Sequence, residues 1–253
     1  AALALAPAAS ASRPVPDWQP GVDAADRWLT GRAGTVSFAV RTEHRVWGRD
    51  ARRAVPAASV LKAMLLVAYL RRPDVRDRTL RNADRDLLTP MVRWSDNVTA
   101  TRVRDIVGDR GLVRLARRSG MRRFRPTPVW GLSSVDASDQ TRFFLRIDRL
   151  VPRRHRRTAM RLLASIVPSQ RWGIARVRPP GWALYFKGGW GSGSGAVDHQ
   201  VALLRRGDRR LAVAIMTTSS PSHEYAKRTL EGVAARLLRG LRPESLPAAA
   251  AGQ

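Results

Sequence analysis

Residues 57–70 read AASVLKAMLLVAYL, and the interpretation of the whole chain begins with this stretch. Its apolar composition and the stop at Pro73 predict a helix from Ala58 to Leu70. The helix is apolar on every side, as helices buried in a core are, and it is shorter than the roughly 18 residues that a membrane span needs. Ser59 and Lys62 stand three positions apart, so a helix places both on one face.

Lysine is rare in this chain, which draws attention to Lys62. Lys62, Lys187 and Lys227 are the only lysines among 46 basic residues, and all the others are arginines. Arginine keeps its proton in proteins, whereas a desolvated lysine has a lowered pKa and can act as a base. Lys62 can therefore take the hydroxyl proton of Ser59, and backbone N–H groups at the helix start favour the negative charge that develops there. The simpler alternative is an N-cap serine followed by a solvated lysine.

Two further short motifs follow along the chain. Ser-Asp-Asn occupies residues 95–97 at the start of a predicted helix, and Lys-Gly-Gly occupies residues 187–189 at the end of a predicted strand. Taken alone, the first is an ordinary helix N-cap, and the second begins a flexible hairpin turn, GGWGSGSG over residues 188–195. The informative feature is their order after Ser59 and Lys62.

This order of motifs, S-x-x-K, S-D-N and a near match to K-T-G, resembles that of the superfamily of class A β-lactamases and penicillin-binding proteins. The resemblance extends over about residues 20–241. It implies a serine hydrolase that needs no cofactor or metal and acts on small-molecule β-lactams or on peptidoglycan-like D-Ala amides. It assigns catalysis to Ser59, Lys62, Ser95 and Lys187, substrate binding to Asn97, Gly189, Trp190 and Ser192, the oxyanion hole to the backbone N–H groups of Ser59 and Trp190, and a structural role to Asp96.

The chain departs from the pattern of that superfamily at two places. Gly188 stands where a hydroxyl residue would anchor a substrate carboxylate, and Ser192 and Ser194 are the candidates to replace it. Residues 121–132, MRRFRPTPVWGL, contain no Glu or Asp, although class A enzymes have a longer loop there with a Glu that activates the deacylating water. The resemblance therefore implies acylation of Ser59 followed by slow β-lactam hydrolysis.

The pattern of elements predicts an α+β fold, and the resemblance specifies the β-lactamase and transpeptidase type. We expect an antiparallel sheet of about five strands built from both chain ends, flanking helices and an inserted all-helical lobe. Strands are predicted at Val36–Arg41, His44–Gly48, Trp182–Lys187, Ala196–Arg205 and Arg210–Thr217. Helices are predicted at Val22–Leu29, Ala58–Leu70, Asp74–Met91, Asp96–Val107, Leu112–Arg118, Val135–Leu150, Arg154–Ile166 and Glu224–Leu241. The expected divisions are a leader and linker (1–20), one domain (21–241) with a sheet lobe (21–57 and 180–241) and a helical lobe (58–179), and a disordered tail (242–253).

The N-terminal stretch, AALALAPAASAS over residues 1–12, resembles the end of a secretory signal peptide. The alternative is an Ala-rich disordered leader. We therefore expect a protein that is secreted or associated with the cell envelope. The chain has no cysteine, which excludes a disulfide framework and a thiolate nucleophile but does not decide the compartment.

The formal net charge of +26 has two interpretations. One is a surface for nucleic acid or anionic cell-wall polymers, and the other is arginine spread over solvated faces. The arginines are dispersed along the chain and no nucleic-acid motif accompanies them, which favours the second interpretation and predicts no specific nucleic-acid partner. A catalytically impaired envelope protein that binds anionic polymers is the alternative function. No oligomerisation signal is evident, so we expect a monomer.

The four histidines show no metal-ligand spacing, and each is expected to be structural or solvated. A triad of Asp198, His199 and an unmarked serine is left open by the sequence.

Overall fold

A five-stranded antiparallel sheet brings together strands from the two ends of the chain. The computed structural model describes residues 18–191, 193 and 195–241, and the predictions for residues 1–17, Ser192, Ser194 and the tail lie outside the described residues. The strands are β1 (Thr35–Arg41), β2 (Val46–Arg49), β3 (Val55–Pro56), β4 (Ser134–Val135), β5 (Ala183–Gly191), β6 (Val197–Arg206) and β7 (Arg209–Thr218). The sheet has the order β2-β1-β7-β6-β5, and β3 pairs with β4 apart from it. This is the sheet that the sequence predicts.

Helices pack against the sheet and against one another. They are α1 (Val22–Leu29), α2 (Leu61–Leu70), α3 (Pro73–Arg76), α4 (Asn82–Arg93), α5 (Asn97–Ser119), α6 (Ala137–Leu145), α7 (Ile147–Leu150), α8 (Arg156–Ala164) and α9 (His223–Leu237). Helix α9 packs against α1 and against β6 and β7, and α6 packs against β1, β6 and β7. Strands β6 and β7 are therefore buried along nearly their whole length, which accounts for their apolar runs.

Helix α2 is the core of the helical part. Every residue from Leu61 to Leu70 is buried, including Lys62, and the helix packs against α4 and α5. The predicted apolar helix is confirmed, but Ala58–Val60 form a 3-10 turn, so Ser59 precedes the first α-helical residue. Neither α2 nor any other helix within the described ranges has the length and apolar character needed to cross a membrane.

Two of the predicted helices are divided in the structure. The helix predicted over Asp74–Met91 is α3 followed by α4, because the Asp84 carboxylate accepts a hydrogen bond from the backbone N–H of Arg81 (2.6 Å) and caps a new helix. The helix predicted over Val135–Leu150 is the end of β4 followed by α6 and α7. There the Asp136 carboxylate accepts a backbone hydrogen bond (2.7 Å) and begins α6.

Strand β5 is longer than the sequence predicts. The prediction ended at Lys187 and placed a turn from Gly188 onward, whereas β5 stays paired with β6 as far as Gly191. A run of glycines is compatible with a strand where another part of the backbone approaches closely, which is the situation here, as shown below. Helix α9 ends at Leu237 rather than at the predicted Leu241.

Helix α5 is interrupted at Gly108. This residue has φ +65° and ψ 169°, a left-handed φ that favours glycine and a ψ outside the helical range. The predicted helices over Asp96–Val107 and Leu112–Arg118 are thus two segments of α5, and the predicted end of the first at Gly108 is confirmed.

Asp84 provides a test of what stabilises the helical part. Its buried carboxylate accepts hydrogen bonds from the guanidinium of Arg78 (2.6 Å), the hydroxyl of Tyr69 (2.7 Å) and the N–H of Arg81 (2.6 Å). These bonds, the one from Arg78 above all, hold the pKa of Asp84 well below its usual range. We expect Asp84→Asn to lower the free energy of unfolding by about 2 kcal/mol, measured by urea denaturation at pH 7.

The pH dependence of this effect has a definite sign. Because folding depresses the pKa of Asp84, its stabilising contribution is present above the unfolded-state pKa of about 4 and is lost as the pH falls towards the folded-state pKa. Asp77→Asn is the control, since Asp77 forms an exposed ion pair with Arg76 (2.7 Å), and it should change stability by less than about 0.5 kcal/mol. Equal losses in the two variants would contradict the prediction.

Candidate active site

Ser59 lies where the chain turns into α2. It belongs to the 3-10 turn Ala58–Val60 and is 9% exposed, so it is largely buried but reachable. Ala58 has φ +43°, in the left-handed region that residues other than glycine rarely adopt. Backbone strain of this kind costs about 1–3 kcal/mol and is concentrated at functional sites.

The amine of Lys62 is surrounded by oxygen atoms. Its Nζ lies 2.8 Å from Asn97 Oδ1 and 3.1 Å from Ser95 Oγ, and it also contacts the carbonyl oxygen of Ser95. Burial lowers the pKa of Lys62 to about 7, although the nearby Asp96 carboxylate acts in the opposite direction. When neutral, the amine can donate to the two carbonyl-type oxygens and keeps a lone pair for a hydroxyl proton.

Lys187 approaches the same serine from β5. Its Nζ donates to Ser95 Oγ (3.0 Å) and to the carbonyl oxygen of Gly188 (2.8 Å). The residue is completely buried, and burial together with the charge of Lys62 holds the pKa of Lys187 well below its usual range. One hydroxyl, that of Ser95, thus lies between two desolvated amines.

The turn before α5 positions these groups. Ser95 has φ +61°, a second strained residue at the site. Asp96 is the N-cap of α5, and its Oδ1 accepts hydrogen bonds from Thr99 N and Thr99 Oγ1, each 2.7 Å long. These bonds lower the pKa of Asp96. Capping fixes where α5 begins, and therefore where Asn97 meets Lys62.

Gly189 lets β5 approach the start of α2. A Cβ atom at this position would lie 2.7 Å from the backbone nitrogens of both Ser59 and Val60, closer than any side chain can be accommodated. Gly188 is different, because a Cβ there would be in ordinary contact with the ring of Trp172 at 3.5 Å. The absence of a side chain at Gly189 is therefore what allows the sheet edge and the serine to meet.

The structure thus brings the predicted residues into one place. Ser59, Lys62, Ser95, Asn97, Lys187 and Gly189 form a single cluster at the junction of α2, α5 and β5, with Asp96 capping α5. Trp190 follows Gly189 on β5, and Ser192 lies outside the described residues. Their chemical roles stay predictions. Within the described ranges, no three His, Asp or Glu side chains come together as a metal centre requires.

Residues 81–241 match the family model described as "Beta-lactamase enzyme family". The chain belongs to this family. The match confirms the superfamily that the order of motifs indicated, and it spans the Ser95 turn and the Lys187 strand.

Solved structures show the same fold. A β-lactamase from Sphaerobacter thermophilus is 21% identical, with a TM-score of 0.72 over 86% of this chain and 95% of that one. An ancestral class A β-lactamase (GNCA) is 15% identical, with a TM-score of 0.74 over 87% and 100% of the two chains. A β-lactamase from Xanthomonas campestris is 14% identical, with a TM-score of 0.72 over 85% and 94%. At these identities the likeness confirms the fold class alone. No curated protein matches the chain.

Trp130 is a site residue of this family member that the sequence did not point to. It lies in the loop over residues 121–132, which has no Glu or Asp and is called the acid-free loop below. Its indole centre is 5.0 Å from Lys62 Nζ, and its Nε1 donates to Thr101 Oγ1 (3.1 Å). The face of an indole attracts a cation, so it favours the charged form of Lys62 while burial favours the neutral form. The loop therefore presents an aromatic ring to the lysine amine. The sequence did not distinguish Trp130 from the other tryptophans, because the chain has 8 of them.

A second cluster lies on the other face of β5. In the pairing of β5 with β6, Gly189 is opposite His199 and Trp190 is opposite Asp198. Consecutive residues of a strand point to opposite faces. Because position 189 faces Ser59, the side chains of Trp190 and Asp198 lie on the face away from the serine.

On that face Asp198 is paired with His223. Asp198 Oδ1 and His223 Nδ1 are 2.5 Å apart, and burial raises the pKa of Asp198 to about 6 against the opposing effect of this histidine. The imidazole also contacts the rings of Trp172 and Trp190, with centres 5.5 and 5.8 Å away. Asp198, His223 and Trp190 border a pocket of about 370 Å³. The expectation that His223 is simply structural or solvated missed this pairing, which joins residues 25 positions apart.

His199 is buried, and both of its ring nitrogens bind the backbone. Nδ1 accepts a hydrogen bond from the N–H of Thr217 (3.2 Å), so Nε2 carries the proton and donates to the carbonyl of Pro56 (2.9 Å). Burial lowers the pKa of His199 to about 4, so it is neutral at pH 7. The triad of His199 with Asp198 that the sequence left open is therefore not formed. His199 instead holds the chain three residues before Ser59.

Substitutions at the two glycines test the close approach. We expect Gly189→Ala to destabilise the protein by about 1–3 kcal/mol, because the added methyl group overlaps the backbone of the serine turn. It should also reduce covalent labelling of Ser59 at least tenfold, since the turn must move. Thermal unfolding and labelling with a fluorescent penicillin measure the two effects.

Gly188→Ala is the matched control, one position along the same strand. Its methyl group has room beside Trp172, so both stability and labelling should stay close to those of the unmodified protein. If Gly189→Ala has the same stability and labelling as Gly188→Ala, the close approach of β5 to the Ser59 turn does not require a glycine at position 189.

Proposed function

We propose that this member of the β-lactamase family is a serine hydrolase that forms an acyl-enzyme at Ser59. The substrates are β-lactams or amides of the acyl-D-Ala type. The observation that carries the proposal is the Ser95 hydroxyl, held 3.1 and 3.0 Å from two buried lysine amines beside the Ser59 turn. A structural role alone does not account for two desolvated amines converging on one hydroxyl, because burying unpaired ammonium groups is unfavourable.

The proposed acylation has two steps. Ser59 Oγ bonds to the substrate carbonyl carbon while its proton moves to Lys62 Nζ, and the backbone N–H groups of Ser59 and Trp190 stabilise the oxyanion. The C–N bond then breaks, and the leaving nitrogen takes the Ser95 hydroxyl proton. Lys62 returns its proton to Ser95 across their 3.1 Å contact, so the amine is neutral again for the next cycle.

Release of the acyl group is the slow step in this proposal. Hydrolysis of the ester needs a base beside the attacking water, and the loop over residues 121–132 has no carboxylate. The group that this loop presents to the site is the Trp130 indole, which cannot accept a proton. The acyl-enzyme should therefore persist much longer than it takes to form.

The role of Lys62 as a base predicts a pH profile. Because burial lowers its pKa to about 7, the rate of Ser59 acylation should rise with pH through about 7 and then level off. Stopped-flow or gel measurements with a fluorescent penicillin would give the rate. Lys62→Arg keeps a cation that cannot be deprotonated, so labelling should fall at least a hundredfold.

Lys227→Arg is the control for that variant. Lys227 pairs with Glu224 on α9, so this change replaces a lysine away from the site and should leave the pH profile unaltered. A profile that is flat between pH 5 and 9 in the unmodified protein would contradict the role of Lys62.

Intact-mass spectrometry tests acylation and release together. After exposure to penicillin, we expect one adduct on the protein, absent from Ser59→Ala, that decays over minutes to hours. Thermal unfolding should show that Ser59→Ala remains folded. Rapid steady turnover of a chromogenic cephalosporin would contradict slow release, and absence of labelling by both penicillins and active esters would exclude the hydrolase.

The second candidate is an envelope protein that has this fold but has lost the reaction, and Gly188 and the acid-free loop favour it. Failure to label a folded protein would support it.

Export is also a proposal, and it rests on residues 1–12. Recovery of the protein from the medium or cell wall of the source cells would test it, and exclusive recovery from the cytoplasm would contradict it.

A further inference from the structure

Six arginines line one pocket in the helical part of the molecule, away from the serine cluster. The pocket lies between the second half of α5 and the end of α2 with α3, and its volume is about 780 Å³. This size falls within the range of about 300–1,000 Å³ that is usual for small-molecule sites. The arginines are Arg71, Arg72, Arg76, Arg114, Arg117 and Arg118.

The arginines on the α3 side have partners. The guanidinium of Arg72 pairs with Asp74 (2.9 Å), that of Arg76 pairs with Asp77 (2.7 Å), and that of Arg71 donates to the carbonyl of Leu150 (2.6 Å). Both carboxylates are exposed, so these ion pairs are weak. They neutralise only part of the positive charge of the pocket.

The arginines on the α5 side have no such partners among the residues that the structure describes. Positions 114, 117 and 118 share one helix face, since they are spaced by three and four residues. The side chains of Arg114, Arg117 and Arg118 make no ion pair or hydrogen bond with any residue in the described ranges. All three lie after the interruption of α5 at Gly108, and they line the pocket together with residues of α3.

The positive charges of neighbouring arginines act on Arg71. Burial lowers the pKa of Arg71, and the positive charges of Arg118 and Arg76 lower it further. Between the charged groups the wall is apolar, formed by Ala68, Val107 and Leu115 among others. The protein thus maintains a concave cluster of like charges that an anion would relieve.

We propose that this pocket binds an anion that carries two or more phosphate groups. Guanidinium groups match phosphate oxygens with paired hydrogen bonds, and three unpaired guanidiniums exceed what one phosphate can neutralise. The phosphates can belong to a free oligophosphate or to a short segment of a phosphodiester polymer. The site does not depend on the reaction at Ser59, and its test is separate.

Calorimetric titration of the full chain with sodium tripolyphosphate tests the site, and a short glycerol phosphate oligomer in a second titration distinguishes the polymer from the free anion. We expect saturable binding at one site per chain that weakens as NaCl is raised from 50 to 300 mM. The triple variant R114Q/R117Q/R118Q should lose at least tenfold in affinity for whichever ligand binds. Its labelling by penicillin should be unchanged.

The triple variant R52Q/R53Q/R228Q is the matched control. It removes the same charge at three exposed arginines of the loop before β3 and of α9, none of which lines the pocket. Its affinity should stay within twofold of the unmodified protein. Equal losses in the two variants would show diffuse attraction to a basic surface and overturn the site, as would the absence of saturable binding to both ligands.

Thermal unfolding without ligand shows whether a loss of affinity arises from destabilisation of the variant. The pocket variant should be at least as stable as the control variant, because it removes repulsion among exposed side chains. If it is less stable, the single variant R117Q replaces it, with R53Q as its control and a threefold loss of affinity as the expected result. Equal affinities of these two single variants would overturn the proposal.

Discussion

The burial of one lysine amine is the constraint on which the structure of the site depends. Lys62 lies in a helix whose every residue is buried, so its amine must find partners inside the protein or give up its charge. Both happen. Asn97 and Ser95 provide the oxygens, and the pKa falls to about 7. In the turn before α5, Ser95 adopts a strained backbone with φ +61°, and its carbonyl and hydroxyl oxygens both contact the amine.

Two close approaches then complete the cluster. Gly189 lets the edge strand of the sheet come against the Ser59 turn, which brings Lys187 to the hydroxyl that Lys62 already contacts. From the other side the acid-free loop places the Trp130 indole on the Lys62 amine. The loop thus places an indole, and no carboxylate, beside the Lys62 amine. In the proposed mechanism, acylation of Ser59 and slow release of the acyl group both follow from this one arrangement.

The two kinds of basic residue are used differently. Two of the three lysines lie at buried positions where burial lowers the pKa, and all other basic residues apart from Lys227 and the histidines are arginines. Arginine keeps its charge under all relevant conditions, so it suits surfaces and anion sites but not a general base. The arginine pocket beside α5 shows that a dispersed charge in the sequence can converge in space.

The sequence by itself determined the family, the α+β class, the buried helix that carries Lys62, and the acid-free loop, because short motifs, apolar runs and composition are local properties. It located most helices and strands, but it joined α3 to α4 and ended β5 too early, since capping by Asp84 and the pairing of Gly188–Gly191 depend on specific partners. Only the tertiary structure decided that Trp130 covers Lys62, that Asp198 pairs with His223 rather than with His199, and that six arginines share one pocket. Each of these contacts joins residues far apart along the chain, and no local periodicity specifies which distant segments pack together.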